Sequence, residues 1–124
     1  MNVKLSEFPR PLSEREAATL RFMLSPDDPR LEPLRQQAEV AIVIGKCDCG
    51  CATIHLGVDR SHAQPATGLR SPVTDTISRE ESGPFWLNLF LDDGWLSMLE
   101  IAYIDGIPST FPRSGEFLLP RLGS

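Results

Sequence analysis

Residues 45–59, GKCDCGCATIHLGVD, set Cys47, Cys49 and Cys51 two positions apart and follow them with His55. Thiolates and imidazoles ligate metals, and neighbouring thiols also exchange with disulfides. A structural zinc ion wants four tetrahedral ligands, and the nearest set is Cys47, Cys49, Cys51 and His55. Cys51 and His55 lie four apart on what reads as one strand, so their Cα atoms are about 13 Å apart at a rise of roughly 3.3 Å per residue. One ion cannot take both. The three thiolates then form an incomplete set, with His62 from the next loop or a second subunit to complete it. Zinc is an alternative on this reading, and no cofactor is expected.

The redox reading pairs Cys47 with Cys51 across a hairpin, at a Cα separation of about 4.5–5.5 Å that a disulfide can bridge. No Cys-x-x-Cys opens a helix, and no helix end is offered to lower a thiol pKa. The plainer expectation treats Cys47 and Cys51 as small apolar residues, with Asp48 and Gly50 making the turn. His55 has no carboxylate beside it, and its distance from Cys51 denies a cysteine–histidine nucleophile. Asp92–Asp93 and Glu80–Glu81 read as solvated turn formers. No catalytic residue is assigned, and the reading leans away from an enzyme.

Composition bounds the classes. The chain has 124 residues, 41% hydrophobic and 23% charged, with net charge −5, as in a soluble globular domain. Lys and Arg are scattered, so nucleic acid is not an expected partner. No apolar run approaches the roughly 20 residues of a membrane span, and the N-terminal residues lack a signal's apolar region. The expected compartment is the cytoplasm, where thiols stay reduced.

The elements follow from periodicity. Ser13 and Glu16 form a capping box ahead of Ala17, Leu20 and Leu24, which recur at helical spacing. Pro26 and Pro29 stop that helix, and a second one carries Pro33 in its first turn. A hairpin over about 40–59 pairs Ile44 with Ile54, Ile42 with Leu56 and Val40 with Val58, around a three-residue loop at Asp48, Cys49 and Gly50. A second hairpin pairs Leu91 with Trp95, Leu89 with Ser97, Leu87 with Leu99 and Phe85 with Ile101, around Asp92, Asp93 and Gly94. Residues 60–72 read as a loop, 73–104 as strands and 105–124 as an irregular tail. The expected architecture is a single α+β domain, with two N-terminal helices (about 13–38) packed on an antiparallel meander of four to five strands.

Three motifs, RPLSERE at a helix start, CDCGC and the late DDGWLSMLEI hairpin, resemble a family of small uncharacterised bacterial proteins, a domain of unknown function. The resemblance runs from about Arg10 to Pro112. It implies a fold and CDCGC as a family feature, and no catalytic residues.

The second hairpin also presents Trp86, Phe90, Leu96, Met98 and Glu100 on one face, a candidate binding surface. The leading functional expectation is therefore a small acidic interaction protein, an inhibitor or immunity-type partner or a homodimer. Its partner would be another protein or itself, with neither nucleic acid nor membrane. The alternative is a metal-binding or thiol-redox protein using Cys47, Cys49 and Cys51.

Overall fold

The computed structural model describes residues 7–123. An edge strand β1 (Arg10–Pro11) leads into helix α1 (Glu14–Met23), a 3-10 turn (Pro29–Leu31) and helix α2 (Glu32–Glu39). Strands β2 (Ala41–Lys46), β3 (Ile54–Val58), β4 (Thr74–Ile77), β5 (Phe85–Asp92), β6 (Trp95–Tyr103) and β7 (Arg121–Leu122) follow. They join β1 in one antiparallel sheet of seven strands, in the order β1-β2-β3-β6-β5-β4-β7. Among the described residues no helix is long and apolar enough to cross a membrane.

The start of α1 forms as its sequence dictates. Ser13 Oγ accepts from the Glu16 amide and Glu16 Oε1 accepts from the Ser13 amide, closing the capping box. Arg10 then grips both Glu16 oxygens, at 2.8 and 2.9 Å, and so ties β1 to the helix. Both helices lie on one face of the sheet. There Leu20, Met23, Leu31 and Leu34 meet Val43, Ile54, Leu56, Leu87, Leu89, Leu99 and Ile101 in one core. Phe111 and Phe117 of the tail close it, both almost fully buried.

The expected meander of four to five strands is corrected. The sheet has seven strands, and β3 pairs with β6 rather than with β4, so the chain crosses over. The two additional edge strands are two residues each, too short for a period of two to show. One comes from the proline-rich tail that reads as irregular.

Both hairpin registers also differ from expectation. In the first, Val43 opposes Leu56 and Ala41 opposes Val58, and a bulge at Ile44 shifts the ladder so that Gly45 meets His55. A slip of one residue exchanges the faces of a strand. Val43 is therefore buried, while Ile42 and Ile44 point outward. The loop runs over residues 47–53, so Cys47 does not face Cys51 across a ladder. In the second hairpin, Asp92 pairs with Trp95 around a two-residue Asp93-Gly94 turn, both residues at positive φ. A bulge between Phe90 and Leu91 on the ladder inserts Ser97, so that Leu87 opposes Ile101 and the faces stay sorted.

That turn is clamped from beneath. Gln37 of α2, fully buried, donates through Nε2 to the carbonyls of Gln64 (2.8 Å) and Gly94 (3.0 Å). Its Oε1 accepts from the Leu96 amide at 2.8 Å. Every bond the side-chain amide makes secures a backbone group, that of Leu96 in the buried core. Gln37→Leu keeps the bulk and strands these groups, so a loss of about 3 kcal/mol is expected in urea unfolding. A loss below about 0.5 kcal/mol would show that the clamp is not needed.

Candidate functional site

The loop between β2 and β3 is shaped at its far end by Thr53. This buried hydroxyl accepts from the Ile101 amide at 3.0 Å and reaches the Ile101 carbonyl at 3.4 Å. It thereby continues the contact with β6 where the β3 ladder has ended. At the near end the Cys47 amide donates to the Thr53 carbonyl (3.3 Å) and the Gly50 amide to the Cys47 carbonyl (3.4 Å). Gly50 sits at φ +88°, where a side chain is strained. The loop is drawn into a tight coil that brings its three cysteine side chains together.

The three sulfurs lie within 4.8 Å of one another. Cys47 Sγ donates to Cys49 Sγ at 2.6 Å, and the Cys51 amide donates to Cys49 Sγ at 3.3 Å. The Cys49 amide in turn points at Cys47 Sγ, at 3.4 Å. Burial grades across the trio: Cys49 is exposed, Cys47 half-buried and Cys51 buried.

The acidities follow from these bonds. The hydrogen bond from the Cys47 thiol, with that from the Cys51 amide adding to it, brings the Cys49 pKa down to about 7. Cys47, which donates to that sulfur, is pushed up to about 11. Tyr103 is raised chiefly by its bond to Cys49, with burial and the charges of the three sulfurs adding to it. The sequence reading missed Thr53 and Tyr103. Thr53 stands two residues after Cys51 but carries no thiol or metal-ligand signature, and only the β3–β6 pairing brings Tyr103 to the loop.

Neither histidine joins the sulfurs. His55 is exposed on the outer sheet face, opposite Gly45 and Met98. His62 lies beyond the other end of β3 and is held by Asp59 at 2.9 Å, so the expected completion by His62 is corrected. Asp59, Ser61 and His62 do converge, with Ser61 Oγ 3.0 Å from His62 Nδ1 and 2.6 Å from Asp59 Oδ1. Serine and carboxylate both meet the same ring nitrogen, however, and a catalytic relay needs one on each. The group is an exposed turn.

Of the expected binding surface, Trp86, Phe90, Met98 and Glu100 are half-buried on the outer sheet face, and Leu96 is not among them. The Ser97 bulge turns Leu96 into the core, where it is 2% exposed. Asn88 opposes Glu100 across the ladder and donates to it at 3.0 Å. This neutral donor partners the carboxylate, while Arg79 donates to the Gly115 carbonyl. A cleft of about 530 Å³ between α1 and α2 includes Arg35, which is engaged by the Leu24 and Pro26 carbonyls. Its lining includes no histidine or cysteine.

No protein-family model matches this chain, and no curated protein or solved structure matches it either. The resemblance to a bacterial family thus stands on its three motifs alone.

Thiolate is the reactive form of cysteine, so alkylation of Cys49 by iodoacetamide should rise with pH through about 7 and level above it. Cys47→Ala removes the leading donor and should move the midpoint upward. Peptide-mapped alkylation rates from pH 5 to 10 measure both. A Cys49 midpoint at the ordinary thiol value would contradict the assigned hydrogen bonds.

Proposed function

We propose that the chain is a small binding protein that takes up one soft metal ion on Cys47, Cys49 and Cys51. The observation that carries this reading is the convergence of three sulfurs, gathered by backbone and side-chain hydrogen bonds rather than by chance surface proximity. With metal–sulfur bonds of about 2.3 Å, three sulfurs on one ion stand roughly 4 Å apart. The trio needs Cys47 and Cys49 to part by a little over an ångström, and the other two separations are no more than 4.8 Å.

Among the described residues no histidine or carboxylate completes a fourth position. That favours an ion content with three thiolates, monovalent copper above all, over zinc, which would add a water. Exposed Cys49 is the point of entry, and buried Cys51 holds the inner side. Asp48 adds negative charge to a loop that already draws a cation. Ligation requires deprotonated thiols, so uptake releases protons and weakens in acid. A reducing compartment such as the cytoplasm would keep the ligands available.

A second reading keeps the outer sheet face as a contact surface for a second copy of the chain. It is supported by cross-strand apolar rows, Ile77 beside Trp86 and Phe90 beside Met98, flanked by outward Ile42 and Ile44. Sedimentation should then give a dimer that Phe90→Asp dissociates. A monomer at tens of micromolar would remove this reading.

The metal reading is tested by anaerobic titration of the reduced chain with copper(I) and, separately, with zinc. One copper per chain is expected, with sulfur-to-copper charge-transfer absorption. Cys49→Ser and Cys51→Ser should each weaken binding by at least about tenfold, or 1.4 kcal/mol. Absence of stoichiometric binding, or binding indifferent to both substitutions, would refute it.

A further inference from the structure

The same three sulfurs differ in ways that metal ligation does not use. One is exposed, one lies in contact with it and one is buried. We infer that the metal-free loop performs thiol–disulfide exchange with low-molecular-weight disulfides, Cys49 attacking and Cys47 resolving. This goes beyond the metal reading and stands whether or not that reading holds.

Exchange requires the attacking sulfur to approach along the disulfide axis, which only an accessible sulfur can do. Cys49 meets that condition and Cys51 does not. In the first step the Cys49 thiolate forms a bond to one sulfur of the disulfide RS–SR, whose S–S bond breaks and releases RS⁻. The product is a mixed disulfide, Cys49–S–S–R. In the second step a sulfur of the protein attacks Cys49 Sγ, expelling the second RS⁻.

Position selects Cys47 for that second attack. Its sulfur already touches Cys49 Sγ at 2.6 Å. Nothing in the coil separates the two sulfurs. The Cys47 proton leaves to solvent or to RS⁻. In sum, two protein thiols are oxidised to the Cys47–Cys49 disulfide, and one external disulfide is reduced to two thiols. Buried Cys51 keeps its thiol.

The arrangement differs from the Cys47–Cys51 pair expected from the sequence. That expectation rests on cross-strand pairing, and the chain coils there instead. In the coil Cys47 and Cys49 are the two sulfurs in contact. Asp48, the residue enclosed by such a bridge, is exposed and free to adjust.

The test uses the reduced, metal-free full chain with oxidised glutathione, read by intact mass and peptide mapping. The wild type should lose two hydrogens of mass and retain no glutathione, its bridge mapping to Cys47–Cys49. Cys47→Ser should stall with one glutathione on Cys49. Cys49→Ser should slow thiol loss by at least about tenfold. Far-ultraviolet circular dichroism confirms that each variant is folded. Glutathione found first on Cys47 or Cys51, or a Cys49–Cys51 bridge forming in Cys47→Ser, would overturn the assignment. A wild type that keeps its glutathione would overturn the resolving step. The copper titration on the same preparation reads the metal reading separately, so failure of one leaves the other measurable.

Discussion

The bond between the Thr53 hydroxyl and the backbone of Ile101 decides what the cysteine segment becomes. If β3 paired with β6 through backbone groups over its whole length, the chain before it would extend as a strand and spread its side chains to alternate faces. A side-chain hydroxyl instead takes the β6 amide at the point where the ladder stops. Residues 47–53 are released from pairing and coil. The sulfurs converge because the strand ends early. The side chain that ends it is buried, so its hydroxyl is secured where water does not compete.

The opposite end of the sheet shows the same economy of partners. Gln37 reaches up from α2 to fix the Asp93-Gly94 turn, and Gly94 lies so close to Ala66 that any side chain there would strike its backbone. Helix, turn and the loop after β3 are thus locked together. β6 runs between the two anchors, clamped near Leu96 by Gln37 and near Ile101 by Thr53. The loop bearing the thiols is hung from the middle strand of the sheet, paired on both sides, which is what a small donor set needs if it is to keep its shape.

Much of this was legible and some was not, for physical reasons. Ser13 and Glu16 announce α1 because a capping box is a local contract between residues three apart. Gly50 and Gly94 mark turns because positive φ favours glycine. Bulges leave no such mark. Ile44 and Ser97 are ordinary strand residues, and each shifts its register and changes which neighbours face the core. Leu96 moved from the expected surface into the core on that account alone. The strands β1 and β7 form through tertiary pairing of two residues each, below the reach of any periodic signal. At the candidate site, the cysteine spacing was plain, yet the coil depends on the bond between Thr53 and Ile101, which are brought together only after β3 has found β6.

The geometry of a loaded centre can be read directly by X-ray absorption at the copper edge, on the reduced chain carrying one copper(I). Three sulfur scatterers near 2.3 Å, with no nitrogen or oxygen neighbour, are expected from Cys47, Cys49 and Cys51. Two sulfurs alone, or a first shell containing imidazole nitrogen, would contradict a three-thiolate centre and detach the function of this protein from its cysteine loop.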